Sequence, residues 1–400
     1  RLSFMLGFSA AMLAGQVSLL PYSKAHGVVR DLYASRSDVY CLAGVADEVP
    51  GGLPAVVVPP IAASSAPVDV PCFPAGRVAL VAYTSGSTGE PQAHSHTWGS
   101  LVADARALGR QLGLSDGRAA SVVGTVPPQH IYGMETTVML PMQNGMPVHP
   151  GRPLLPADIA AALEPMPGER WLVTTPTHLR ACVSARARMP QLAGVLSATM
   201  PLAPELAREM EQAWSAPLHE IYGCTEGGAL ALRRPTLSER WRVRDGMRLR
   251  ATDDGVWVEG GHLSGALRIP DRVALVSDTQ FDLLGRPEDM AKIAGKRVSI
   301  EALNRELLRV PGVKEGLFID TGKARGGVAR LAAVAVAPGL APQAILRALR
   351  ERIDPAFLPR PLLMVESLPR GATGKVARTA LLELLEAAIA AAKARSQHLA

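Results

Sequence analysis

Up to about residue 230 the chain alternates strand-like runs with helical patterns: VSLLP, VALVAYT, ASVVGTV, RWLVTT, AGVLSAT and LHEIYG each precede a loop or an amphipathic stretch such as APELAREMEQAW. Alternation at this spacing predicts parallel strands with helices on their faces, an α/β fold whose ligands gather at the strand ends. From about Leu230 to Gly285 the helical pattern disappears. MRLRAT, GVWVEG and RVALVS are separated there by turn signals, which predicts a small β subdomain. After Arg286, helical IEALNRELLRV and PQAILRALRERI, strand-like ARLAAVAV and LLMVESL, and an Ala-rich final helix predict a separate α+β domain. The expected organisation is residues 1–285, with the β subdomain at about 230–285, followed by residues 286–400.

Four hundred residues with 48% hydrophobic composition suffice for a large core and more than one domain. The formal charge of +6 is scattered and forms no basic run interleaved with aromatics, which argues against a nucleic-acid partner while suiting an anionic nucleotide. The 4 cysteines show neither paired metal spacing nor the density of a disulfide framework, and a reducing cytoplasm is the expected home. RLSFMLGFSAAMLAG is too short an uncharged stretch to span a bilayer, with a signal peptide as the lesser reading. A start at Arg1 rather than Met suggests a preceding portion that was removed or never included.

YTSGSTGEPQ, at the end of a predicted strand, is not a Walker A loop, because Pro91 stands where the second glycine belongs. Its glycines let backbone approach an anion, and Thr84, Ser85, Ser87 and Thr88 add hydroxyl donors. A phosphate loop and a Ser/Gly surface loop both fit this stretch alone. Taken singly, Glu226 in IYGCTEGG reads as a solvated loop acid. IPDRVALVSDTQFDLLGR reads as strand, turn at Ser277-Asp278-Thr279, and returning strand, so Asp271 and Arg286 sit at one end of a hairpin, within reach of one diol. Asp278, in the turn, reads as the structural acid.

TSGSTGEP, IYGCTEGG, LLGRPEDMAKIAGKRV and LPRGATGKVAR, in this order, resemble the adenylate-forming superfamily of acyl-CoA synthetases, aryl-CoA ligases, peptide-synthetase adenylation domains and firefly luciferase. The resemblance runs from roughly Gly7 to Leu385. It implies that Thr84, Ser85, Gly86, Ser87, Thr88 and Gly89 hold the β- and γ-phosphates of ATP, that Glu226 ligates Mg²⁺, that Thr225 contacts the α-phosphate, and that Tyr222 and Gly223 lie at the adenine. Asp271 and Arg286 would hold the ribose, although Ile269-Pro270 stands where the family has Thr-Gly. Glu288 matches the hinge of a swinging C-terminal lid, Gly295 a glycine lining the thiol's approach, and Lys375 the adenylation lysine. VPPQHIYGME, expected just before a helix, matches the segment lining the acid pocket, with His130, Tyr132 and Gly133 as candidates; His130 reads equally as a hydrogen-bonded core histidine. One departure concerns the phosphate loop, which ends Pro91-Gln92-Ala93 rather than Pro-Lys-Gly. His94 and His96 stand close enough to supply the missing cation, or are surface histidines.

The implied reaction is attack of a carboxylate on the α-phosphorus of ATP, release of pyrophosphate, and transfer of the acyl group to CoA or to the phosphopantetheine of a carrier protein. Amino-acid-activating relatives carry an Asp in the pocket segment; nothing acidic precedes Glu135 here, which favours an acid without an α-amine. The stretch from Trp241 to Gly312 is most similar to stand-alone ligases of aryl-polyene-type pathways, implying a hydroxybenzoate-like aryl acid. A fatty-acyl ligase and a non-catalytic nucleotide-binding module are the alternatives.

Overall fold

Neighbouring apolar residues in the predicted strands point into different cores. In the computed structural model, which describes residues 1–22, 26–36, 38–45, 49–59, 69–84, 91–114, 119–285, 290–293, 296–325, 328–370, 376 and 378–397, Val123, Leu172 and Val195 enter one cluster. Their neighbours Val122, Val173 and Leu196 enter another. Strands covered on both faces need unbroken apolar runs, and ASVVG, RWLVT and GVLS supply them.

The chain divides into two compact units: residues 1–251, 257–268 and 277–280, and residues 252–256, 269–276 and 281–400. In the first, strands run side by side in the order Trp241–Val243, Gly228–Arg233, Leu218–Cys224, Gly194–Ser197, Glu169–Thr174, Ala120–Gly124. The last four pair in parallel, as the alternating pattern requires, while the first two return antiparallel. Helices Pro156–Leu163, Pro176–Ser184 and Pro204–Trp214 supply Ile159, Leu179 and Met210 to one core. The helix Trp98–Gln111 supplies Leu108 to the other.

A smaller sheet pairs Ser18–Leu20 in parallel with Val78–Thr84, which pairs antiparallel with Gln92–Thr97. Phe8 and Met12 of the helix Leu2–Leu13 pack with Leu80, Ala82 and Leu101 there. The Gln92–Thr97 strand was not legible as one. QAHSHT lacks a β-branched run, and its alternation is imposed by packing: Ser95 is exposed, His94 half-buried and His96 buried.

VPPQHIYGME does not precede a helix; the helix begins inside it, at Ile131. It widens into a π turn over Glu135–Met139 and resumes over Leu140–Asn144. The threonine side chains fit the widening: Thr136 Oγ1 donates to Tyr132 O at 2.5 Å and Thr137 Oγ1 to Gly133 O at 2.6 Å. Such bonds loosen the usual backbone ladder.

In the second unit, Glu315–Arg325, Val328–Val336 and Leu362–Met364 form a sheet in that order. Leu331, Ala333 and Ala335 face the helices Ile300–Leu308 and Pro342–Arg350, whereas Ala332, Val334 and Val336 face Leu381 and Leu385 of the helix Arg378–Gln397. Among the described residues, no helix is long and apolar enough to cross a membrane.

Candidate functional site

The hydroxyl-rich loop is the connection of a hairpin. Val78–Thr84 enters it and Gln92–Thr97 leaves it, with Thr84 paired to Gln92 and Ala82 to His94. His94 and His96, two apart on one strand, share a face. Both reach the Thr225-Glu226 turn that joins Leu218–Cys224 to Gly228–Arg233. His94 Nε2 lies 3.3 Å from Thr84 Oγ1 and 3.8 Å from Glu226 Oε1. His96 Nε2 lies 2.8 Å from Thr225 O. A carbonyl only accepts, so His96 carries its hydrogen on Nε2. Burial lowers its pKa from 6.5, more than the Thr225 bond raises it, and the ring is neutral near pH 7. Two motifs far apart in sequence are thus joined by two imidazoles.

A buried polar cluster underlies the same turn. His262 Nε2 donates to Gly227 O at 2.8 Å, and its Nδ1 stands 3.4 Å from Asp104 Oδ1. Arg244, fully buried, places NH1 3.0 Å from the same oxygen, off the axis of a hydrogen bond, and NH2 3.0 Å from Asp104 O. Its Nε donates to Gln111 Oε1 at 2.5 Å. Glu135 Oε1 accepts from Ala229 N at 3.2 Å. Burial first, and the Asp104 charge second, raise the Glu135 carboxyl well above the ordinary carboxylate range. Gly228 must be glycine: its φ is +67°, and a Cβ there would collide with Glu135 Oε1. None of Asp104, Arg244 or His262 announces itself in the sequence, because each is a single polar residue among unrelated neighbours.

Tyr222 is buried at the end of its strand, its ring 5.6 Å from that of Trp241. Arg233 stacks on Trp241 at 4.5 Å and pairs with the buried Glu220 at 2.7 Å, while Glu220 also accepts from Leu202 N. Gly223 is exposed beside this group. In the second unit, Arg272 pairs with Gly285 across the Arg272–Leu275 and Gln280–Gly285 hairpin, so Asp271 precedes the end at which Arg286 follows. Arg286 itself lies outside the described residues. In the turn, Asp278 pairs with Arg248.

The VPPQHIYGME segment meets the carboxyl ends of two parallel strands. Tyr132 is buried, and its hydroxyl donates to Thr174 O at 3.1 Å. Gly133 is buried where a Cβ would strike the Pro127 carbonyl. His130, half-buried, immediately precedes the helix. Beside Tyr132 stand Thr125, Thr174 and Thr175. Thr125 Oγ1 is 2.9 Å from Thr174 Oγ1, and His178 Nδ1 lies 3.3 Å from Thr125 Oγ1 and 3.0 Å from Thr175 Oγ1. Burial, then the Arg152 charge, lowers the His178 pKa from 6.5. Hydroxyls crowding a strand end in TTPTH were a readable signal for this cluster.

Ser85, Gly86, Ser87, Thr88, Gly89, Glu288, Gly295 and Lys375 lie outside the described residues. Arg370 and Val376, which flank Lys375 in sequence, bridge one another antiparallel, and Arg370 pairs with Glu315. Among the described residues, no group of three His, Cys, Asp or Glu side chains gathers to hold a metal. Mg²⁺ does not need one, since it is held by one or two carboxylates together with substrate phosphates and waters. The half-exposed Glu226 carboxylate with the Thr84 hydroxyl nearby is an oxygen donor set of the kind such a cation takes.

The model of the AMP-binding enzyme family matches residues 23–253, more than half of the chain. A 4-coumarate–CoA ligase of Rhodobacter capsulatus is 29% identical over 302 residues, covering 73% of each chain. A sulfoacetate–CoA ligase of Cupriavidus necator is 29% identical over 374 residues, covering 82% of this chain and 71% of the relative. The solved structure of Bacillus subtilis o-succinylbenzoate CoA synthetase with its acyl-adenylate intermediate shares the fold, with a TM-score of 0.79 at 19% identity over 95% of this chain and 86% of that one. With two α/β sheets whose strand ends carry the Thr84 and the Glu226 motifs respectively, the chain belongs to the AMP-binding enzymes of the adenylate-forming superfamily, as an AMP-forming acid–thiol ligase.

Proposed function

We propose that this ligase activates an aryl carboxylic acid lacking an α-amine and passes it to CoA, with the phosphopantetheine of a carrier protein as the second acceptor. The observation that carries the nucleotide half is the junction of His94 with Thr84 and Glu226. It brings the phosphate-loop strand and the acidic turn to one place, as adenylation requires. The relative named for 4-coumarate supports an aryl acid, and the lack of any acid before Glu135 in the pocket segment supports one without an α-amine.

In this reading Thr84 and the loop at Ser85, Gly86, Ser87, Thr88 and Gly89 grip the outer phosphates. Thr225 contacts the α-phosphate, Tyr222 and Gly223 border the base, and Asp271 and Arg286 take the ribose hydroxyls. Glu226 holds Mg²⁺, which when bound supplies positive charge at the oxygens of the departing pyrophosphate. His94 stands where the family's loop cation is missing. Lys375 approaches the bridging oxygen on a lid hinged at Glu288. It shields the mixed anhydride from water, then withdraws to let the thiol in. Tyr132, Gly133 and His130 border the acid, with the neutral His178 and its threonines at the far wall.

Pyrophosphate exchange against a panel of hydroxybenzoates, cinnamates and fatty acids tests the proposal. Exchange with aryl acids above all others is expected, and no exchange with any acid overturns it. Lys375→Ala should lower exchange roughly a hundredfold or more, the usual cost of one transition-state donor, while leaving thermal unfolding unchanged.

A further inference from the structure

The Thr225–Ala229 segment is held at three backbone points by side chains from three other parts of the chain. His96 takes Thr225 O, His262 takes Gly227 O, and Glu135 takes Ala229 N. Glu226 lies between the first two, its side chain 39% exposed. His262 differs from the other two because it is itself braced. Its far nitrogen faces Asp104 Oδ1, which Arg244 NH1 also approaches, both by proximity rather than by aligned hydrogen bonds. An ion pair at this depth adds little net stability over an apolar filling of the same volume, so its contribution is geometric. The ring is pinned at one end so that it can pin a carbonyl at the other.

We propose that His262 is a positioning residue for the acidic turn: seated on the buried Asp104–Arg244 pair, it fixes the Gly227 carbonyl and thereby the angle at which Glu226 meets a phosphate-bound divalent cation. This inference rests on the adenylation reading for the identity of that cation. It does not rest on it for the grip on the turn, which exists without any ligand.

The test uses the full chain and three variants. His262→Ala removes the donor, His262→Gln places an amide nitrogen near the Nε2 position, and His262→Asn places one near Nδ1 instead. Hydrogen exchange at the amides of residues 225–229, measured without ligand, reports the grip. Calorimetric binding of MgATP, and of ATP in excess chelator, reports its consequence. His262→Ala should exchange faster at 225–229 and bind MgATP ten- to hundredfold more weakly, the usual cost of losing a group behind a metal ligand, with metal-free ATP binding within about twofold of the parent. Gln should restore most of both losses and Asn should not. Should Ala fail to fold, the Gln–Asn contrast decides alone. The proposal is overturned if exchange and MgATP affinity stay within twofold of the parent in Ala and Asn, if both forms of the nucleotide weaken equally, or if Gln and Asn behave alike. A parent protein that binds no MgATP at all would sink the adenylation reading, and exchange at 225–229 would still decide whether His262 holds the turn.

Discussion

A carboxyl group shut away from water resists ionisation, and for Glu135 burial first and the Asp104 charge second raise the pKa by more than Arg244 lowers it. The folded chain therefore retains a proton that the unfolded chain sheds near pH 4.5. Between that value and the raised folded one, the unfolded state binds fewer protons, so stability falls as pH rises. Glu135→Gln removes the titration while keeping an acceptor for Ala229 N. Its stability relative to the parent, from denaturant midpoints, should improve as pH rises above 4.5. Glu135→Ala leaves that amide unsatisfied and should cost about 1–3 kcal/mol at pH 5. The sequence did not disclose Glu135 as a buried acid. Its nearest acidic and basic partners come from a helix and a loop far along the chain, and a lone charge in an apolar run carries no mark of what will cover it.

At the scale of elements, the Thr84-to-Gln92 hairpin carries one departure from the motif of the family it resembles. Gln92 is exposed at the base of the loop, opposite Thr84, where relatives place a lysine. Gln92→Lys should lower the KM for ATP roughly ten- to hundredfold, the worth of a hydrogen bond to a charged group, with kcat changed less. His94→Ala should raise the KM for ATP by about tenfold in steady-state exchange assays if the imidazole stands in for that lysine. The strands flanking this loop were legible to different degrees. VALVAYT announced itself through its apolar run, whereas QAHSHT became a strand only because Val78–Thr84 offered it a partner. In the same way Thr225 and Glu226 were legible as a motif, yet their attachment to His96 and His262 was not, since contacts across such sequence distances leave no local pattern.

For the whole molecule, two sheets with separate cores on both faces imply two cooperative units. Calorimetric unfolding should give a van't Hoff enthalpy clearly below the calorimetric enthalpy, and Asp104→Ala, which strands Arg244 in the first unit, should shift only part of the endotherm, by about 3–5 kcal/mol. The parallel order of the large sheet was readable because alternation and apolar runs are dictated by burial on two faces. The antiparallel return over Gly228–Arg233 was not, for GALALR reads like any short buried run.

In the proposed adenylation reading, the HSH strand ties the grip on ATP to the seat of the acidic side chain, and that linkage limits how the enzyme can be re-engineered. Selection for tighter nucleotide capture at position 94 or 96 will drag the neighbouring turn with it. The threonine-lined wall around His178 shares none of those hydrogen bonds, so libraries aimed at new acids belong there.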